Sequence, residues 1–213
     1  MANSTAPAAG RPFDALLCDL DNVIRFYDPT RLAELERLAG LPEGTTAAVA
    51  FSPELDGPLL LGRITRDEWR ESIADALARS GRIPDEGARE LAGAMVRSPF
   101  TADAAVVSVL RGARAGGLPL VLVTNASLDL EEDLAVMGIA DLADHVVSSA
   151  VEGVAKPDRE IYAIAAARAG VAPGRCLFVD DRPENVEAAV AFGMTGVHYR
   201  GPADLRAALA FLS

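Results

Sequence analysis

The stretch Leu16-Leu17-Cys18-Asp19-Leu20-Asp21-Asn22-Val23 decides how this chain is read. Phe13 to Cys18 is an apolar segment of the length a buried strand needs, and it runs straight into two aspartates one residue apart. At the carboxyl end of a strand, such residues lie where open α/β sheets place their sites. In extended backbone residues i and i+2 face the same side, so the two carboxylates are expected to converge. Two ionised carboxylates held together are costly unless a cation joins them. The alternative is a polar strand end facing water, and the rest of the chain has to choose between the two.

Two further apolar strands end the same way. Leu118 to Val123 runs into Thr124-Asn125-Ala126-Ser127, and Arg175 to Val179 runs into Asp180-Asp181-Arg182-Pro183-Glu184-Asn185. Helical patterns separate them. One covers 101–115 and stops at Gly116-Gly117; another covers 128–137 and is capped by Gly138. A third is opened by Ala155-Lys156-Pro157-Asp158, with proline in its first turn, and runs to Gly170. Short strands over 145–148 and 196–199, a helix after the Asp180 to Asn185 cluster running to Phe192-Gly193, and a helix over 203–212 complete the pattern. This alternation from 99 onward predicts an α/β fold: a doubly wound parallel-sheet (Rossmann-like) core with right-handed crossovers and helices on both faces. Each polar cluster follows a strand directly, so all three fall on one edge of that sheet. Three such coincidences favour a site over the water-facing strand end.

Between 28 and 98 the pattern is helical only. Asp28-Pro29-Thr30 starts a helix with Leu32, Leu35 and Leu38 at helical spacing, closed by Gly40. Residues 45–52 are weakly helical. Thr65 and Glu68 form a capping box ahead of the stripe Trp69, Ile73, Ala76 and Leu77, and 84–96 is a further helix. The expected organisation is a core of 12–27 and 99–213, an all-helical insert over 28–98, and a small, polar, disordered tail over 1–11.

At 213 residues the chain suits one large domain or a domain with an insert, and half its residues are hydrophobic, enough for a sizeable core. A net charge of −11 argues against nucleic acid and anionic membrane as partners. An anionic substrate would need local positive charge or a metal ion to offset that field. Cys18 and Cys176 are flanked by apolar residues and are read as two buried thiols, which suits a reducing cytoplasm. Met1 to Gly10 has no basic start and no apolar stretch of a secretory signal, and no apolar run reaches the ~18 residues a membrane span needs. The 20 Lys and Arg residues comprise 19 arginines and one lysine, Lys156. Whatever favours arginine elsewhere has not acted there, which points to a specific need for a compact ammonium.

Carboxylates at adjacent strand ends suit a hard divalent cation. Mg²⁺ takes oxygen ligands and keeps several waters, so two or three carboxylates suffice. It would also let Asp19, Asp21, Asp180 and Asp181 stay ionised together. Thr124 and Asn125 can donate hydrogen bonds to phosphate oxygens, or cap the helix that follows. Lys156 near the carboxylates would balance their charge and that of a phosphate. His145 and His198 lie in predicted strands and are read as structural.

The ordered set Asp19-Leu20-Asp21-Asn22-Val23, Thr124-Asn125, Lys156-Pro157 and Asp180-Asp181 with Asn185 resembles the haloacid dehalogenase superfamily. Within it, the match is to the phosphatase branch with a helical (C1-type) cap after the first strand, and it spans about residues 13–200. The resemblance implies that Asp19 is the nucleophile that takes the phosphoryl group. It implies that Asp21 protonates the leaving oxygen and then activates water. By the same resemblance Mg²⁺ is bound by the Asp19 carboxylate, the Asp21 backbone carbonyl and Asp181, with Asp180 adjacent or bound through water. Thr124, Asn125 and Lys156 would hold the phosphate. Two positions depart from the family pattern. Asn22 stands where glycine is common, and asparagine tolerates left-handed backbone. Asp180 also stands where glycine is frequent. Asp21 itself disfavours the true dehalogenases, which lack that acid. The expected activity is Mg²⁺-dependent hydrolysis of a small phosphorylated metabolite, with a homodimer left open. Its rivals are a phosphomutase and a catalytically idle ligand-binding protein. The insert carries no readable motif, so the sequence names no substrate.

Overall fold

The computed structural model describes residues 10–212. In chain order its strands are β1 (Ala15–Cys18), β2 (Arg25–Tyr27), β3 (Phe100–Ala102), β4 (Leu120–Thr124), β5 (His145–Ser148), β6 (Cys176–Asp180) and β7 (Thr195–His198). Helices α1 (Thr30–Leu38), α2 (Thr45–Ala50), α3 (Pro53–Leu60), α4 (Arg66–Arg79) and α5 (Asp85–Val96) lie between β2 and β3. They are followed by α6 (Ala104–Ala115), α7 (Leu130–Val136), α8 (Ser149–Glu152), α9 (Arg159–Ala169), α10 (Pro183–Phe192) and α11 (Pro202–Ala208).

Five strands form one parallel sheet in the order β5-β4-β1-β6-β7. β1, β4 and β6 are buried on both faces, which is why they read as unbroken apolar runs. Alternation still sorts their side chains. Leu16, Cys18, Leu120, Leu122 and Val179 face a core closed by α6, α7 and α11. Leu17, Val121, Val123 and Phe178 face the opposite core, closed by α9 and α10. The chain leaves the central β1 for β4 and β5 on one side, then returns to β6 and β7 on the other. The carboxyl end of β1 is therefore the switch point, where such sheets open a crevice. Among the described residues no helix is long and apolar enough to cross a membrane, and Cys18 and Cys176 are buried free thiols.

The five helices between β2 and β3 have their own apolar core around Trp69, Ile73, Leu77 and Leu91. The capping box forms as expected: Thr65 and Glu68 each accept from the other's backbone N–H. Leu38 does not join the core and is 81% exposed; Leu41, just past the helix end, packs inside instead. Helix α3 is absent from the sequence reading because Pro53, Gly57 and Pro58 mask it. Pro53 occupies the first turn, where its missing N–H costs nothing. The buried Glu36 carboxylate accepts from the N–H groups of Gly44 and Thr46, at 2.7 and 2.6 Å, and so fixes the start of α2.

The helical unit is entered and left through an antiparallel ladder of β2 and β3. The expected helix over 101–115 accordingly begins later, at Ala104. The Asp103 carboxylate accepts from Ala105 and Val106 N–H at 2.7 and 3.1 Å and caps it there, leaving Phe100–Ala102 free to pair with β2. At the far side, Gly62 has φ +66° and approaches α8 so closely that a Cβ would stand 2.4 Å from the Ala150 carbonyl oxygen. The tail expected over 1–11 lies, through residue 9, outside the described residues. Arg11 is held: its guanidinium donates to the Gly116 carbonyl at 2.7 Å, and its own carbonyl accepts from Arg175 at 2.7 Å.

Candidate active site

Asp19 sits at the exit of β1, its N–H donating to the Val179 carbonyl at 2.9 Å. The chain then turns instead of continuing as a strand. Asn22 adopts φ 59°, and the N–H groups of Ile24 and Arg25 both donate to the Leu20 carbonyl at 2.8 Å. This turn overturns the expected convergence of Asp19 and Asp21, because alternation places i and i+2 together only in extended backbone. The Asp21 carboxylate faces Arg25, whose Nε and Nη2 close on its two oxygens at 2.6 and 2.9 Å. That is a bidentate pair.

The carboxylates that do converge are Asp19, Asp180 and Asp181, whose oxygens come within 4.8 Å of one another. Four were expected; the Asp21 side chain is not among them. The Lys156 ammonium lies between two of the three, 2.7 Å from Asp19 Oδ1 and 2.7 Å from Asp180 Oδ2, with its side chain 1% exposed. Asp180 is fully occupied: it also accepts from the Arg182 N–H at 2.9 Å and from Asn185 Nδ2 at 3.0 and 3.1 Å. It anchors the lysine. Asp19 Oδ1 accepts from Lys156 and from the Leu20 N–H at 2.7 Å, which fixes one oxygen of the carboxylate.

Thr124 and Asn125 lie on the neighbouring strand end. Asn125 spends its side chain on Lys156, accepting from its N–H at 2.8 Å and donating to its carbonyl at 2.9 Å. Thr124 Oγ1 is buried without a partner. Pro157 is not in the first turn of α9, as expected, but ahead of it. The helix begins at Arg159 because Asp158 caps it, accepting from the Glu160 N–H at 3.0 Å.

Burial pushes the Asp19 carboxyl up, Lys156 opposes this, and Asp180 adds to it. Asp181 is pushed up by burial and by Asp180, against a hydrogen bond from Asn22. For Lys156, burial disfavours the ammonium, but Asp19 and Asp180 more than offset this and raise it. A donor set made only of carboxylate oxygens, crowded until two acids rise, fits a hard divalent cation. The orphaned buried hydroxyl of Thr124, at the end of the strand next to β1, has a donor left over for an anion's oxygen.

Besides Arg25, three residues near the site left no mark in the sequence pattern: Asp133, Arg66 and Asp56. Arg25 is 4% exposed and also reaches Asp133, which Arg66 of α4 reaches too. The third is Asp56 of α3. Burial pushes its carboxyl up from 3.8 to about 6; Arg182 opposes this and Asp21 reinforces it, so Asp56 faces the same crevice from the helical side. An acid with a raised folded pKa holds its proton longer when folded, so stability falls as pH rises from about 3.8 to about 6. Asp56→Asn is therefore expected to raise stability above pH 6 by on the order of 1 kcal/mol, and Tm with it, and to leave both unchanged near pH 3.5. Thermal melts across pH test this. An equal shift at both ends would place Asp56 outside the crevice.

The haloacid dehalogenase-like hydrolase family model matches residues 13–193, and the chain belongs to that family. It is a hydrolase. A Mycobacterium tuberculosis phosphatase is 31% identical over 187 residues, covering 84% of each chain. Thermus thermophilus phosphoserine phosphatase is 36% identical over 136 residues, which are 61% of this chain and 53% of that one. A sesquiterpene phosphatase of Aspergillus oryzae is 37% identical over 97 residues, and this chain spans half of its length. Among solved structures, a family enzyme from Bacteroides thetaiotaomicron in complex with magnesium and inorganic phosphate superposes with TM-score 0.66 at 19% identity, covering 86% of this chain and 92% of that one. L-2-haloacid dehalogenase from Xanthobacter autotrophicus superposes with TM-score 0.61 at 26% identity, covering 86% and 76%. The fold is common to phosphatases and dehalogenases, so the choice between them falls to the site.

Proposed function

We propose that this protein is a Mg²⁺-dependent phosphatase that hydrolyses a small phosphomonoester through an aspartyl-phosphate on Asp19. The observation that carries the reading is the Lys156 ammonium 2.7 Å from Asp19, inside a cluster completed by Asp180 and Asp181. Asp19 Oδ1 is fixed by Lys156 and Leu20, which presents the other oxygen for attack on phosphorus. As that P–O bond forms, the bond to the leaving oxygen breaks, and Asp21 gives that oxygen a proton. Asp21 then takes a proton from water, which attacks the aspartyl-phosphate and releases inorganic phosphate. Thr124 Oγ1 and Lys156 donate to the phosphoryl oxygens. Asp19 and Asp181, with the Asp21 backbone carbonyl, would hold Mg²⁺, and Asp180 stays with Lys156. Bound there, the cation neutralises charge between the carboxylates and the phosphate.

The helical unit over 28–98 serves as a cap that closes on the crevice. Asp56, on the helical unit and within the field of Arg182 and Asp21, adds negative charge near the site, so esters of neutral or cationic alcohols are favoured over phosphorylated carboxylic acids. The two buried free thiols suit a reducing compartment, and cytoplasm is part of this reading. Inorganic phosphate release from an aryl phosphate and from a panel of sugar, polyol and acid phosphates tests it. Turnover is expected to vanish in EDTA and return with Mg²⁺, and phosphoglycolate-like acids are expected to be the weakest substrates. Full turnover in chelator would sink the site assignment. Isomer formation without phosphate release would make the protein a mutase.

A further inference from the structure

Arg66 opens α4 in the cap. Its Nε lies 3.1 Å from Asp129 Oδ2, and its Nη2 lies 2.9 Å from Asp133 Oδ2 and 3.4 Å from Ser127 Oγ. All three partners belong to the core, in α7 or just before it. The same Asp133 oxygen accepts from Arg25 Nη1 at 2.8 Å. Arg25 in turn uses its remaining nitrogens to grip both oxygens of Asp21. One carboxylate oxygen thus joins the cap's arginine to the arginine that fixes the acid–base residue. Arg25 also lies 5.1 Å over the Tyr27 ring and 5.5 Å over the Phe100 ring, one from each strand at the base of the cap.

The charges alternate along this line: Asp21, Arg25, Asp133, Arg66, Asp129. With Arg66 withdrawn, Asp133 keeps its buried charge and has only Arg25 to satisfy it. An uncompensated buried carboxylate is costly, so it competes with Asp21 for the guanidinium. The geometry points to Arg66 and Arg25 as positioning residues: docking of the cap through Arg66 sets Arg25, and Arg25 sets the Asp21 carboxylate for proton transfer. This rests on the phosphatase reading of Asp21.

The test exploits what Asp21 does. Proton donation matters for a poor leaving group and hardly for a good one. Arg66→Gln, made at a partly exposed position on the cap's edge, is assayed on phenyl phosphate and on dinitrophenyl phosphate. The expected result is a loss of about tenfold or more in kcat/KM on the first and under about threefold on the second, within the range general acid catalysis spans. Arg66→Lys is expected to restore part of the loss. In an Asp21→Asn background, Arg66→Gln is expected to add no leaving-group-dependent loss. Equal loss on both esters would make Arg66 a structural or substrate-binding residue and overturn the proposal. A second measurement needs no activity. Hydrogen exchange of the backbone over 19–28 is expected to be faster in Arg66→Gln and unchanged in Arg70→Gln, one turn further along α4. Unchanged exchange in Arg66→Gln would overturn the relay. Absence of turnover on both esters by the wild-type protein would instead refute the phosphatase reading, while exchange still judges the relay.

Discussion

Asp19→Asn is expected to remove all measurable phosphate release, a loss on the order of 10⁶-fold, as for deletion of a covalent nucleophile. The amide keeps the shape of the side chain, and its oxygen can still accept from Lys156 and Leu20. What it lacks is the charge and the second oxygen that attacks. The same substitution is expected to raise Tm in metal-free buffer at neutral pH. Burial and Asp180 push the Asp19 carboxyl up against the pull of Lys156, so the folded state binds its proton more tightly than the unfolded chain does. For an acid shifted in that direction, stability falls as pH rises through the interval between the two pKa values. Removing the ionisable group removes that cost, in the pattern of active sites that hold charge at the expense of stability. Phosphate release and a thermal melt test both halves. A near-wild-type rate would put the nucleophile elsewhere. Asp21→Asn is expected to behave differently, losing roughly 10²–10⁴-fold and most on poor leaving groups.

The fold was legible where burial leaves a local signature. β1, β4 and β6 are buried on both faces, so each is an apolar run, and each runs straight into its polar residues. Asp19, Asp180 and Asp181 could be placed at one sheet edge by that fact alone. The turn after Asp19 could not. Whether Asp21 follows the strand or leaves it depends on Asn22 at φ 59°, and asparagine occupies either conformation. Strands β2 and β3 are three residues each and pair across the whole helical unit, too short and too distant for a periodicity to show. Helix α3 was hidden because prolines are breakers in general: Pro53 is tolerated in the first turn, but Pro58 stands inside the helix, where a sequence pattern would end it.

The least legible feature was the chain of ion pairs. Arg25 and Asp133 are 108 positions apart, and Arg66 and Asp133 are 67 apart, so no spacing connects them. Composition works against them as well. In a chain with 19 arginines, no single arginine stands out, and those that pair mostly do so on the surface, where a pair contributes little. Arg25 differs only in being buried between two carboxylates, which is a tertiary fact. Lys156 is the opposite case: its type is unique in the chain, so composition alone marked it.

Lys156→Arg is expected to inactivate the enzyme although it preserves the charge. The ammonium touches Asp19 and Asp180 at 2.7 Å each, and the side chain is 1% exposed. Two carboxylate oxygens converging on one nitrogen form a socket for a point charge with three rotatable donors. A guanidinium is planar and spreads its donors over a fork. Seating it requires Asp19 or Asp180 to withdraw, and Asp180 is tied to Arg182 and Asn185. Asp19 is then the group that moves. A displacement of about 1 Å at the attacking group costs on the order of 10²-fold. The socket is closed behind as well, since Phe178 lies 5.9 Å from the ammonium and Asn125 grips the lysine backbone from both sides. The larger head therefore strains the core by about 1–3 kcal/mol, as overpacking does. The variant should show a lowered Tm and a kcat/KM at least about 10²-fold below wild type when assayed well below that Tm. Lys156→Met tests the charge instead of the shape. It fits the volume but leaves the buried Asp19 and Asp180 carboxylates without their cation, so at neutral pH it should be less stable than the arginine variant, by a loss of roughly 3–5 kcal/mol from wild type, and equally inactive. A folded arginine variant with wild-type activity would show that the ammonium between Asp19 and Asp180 takes no part in the chemistry.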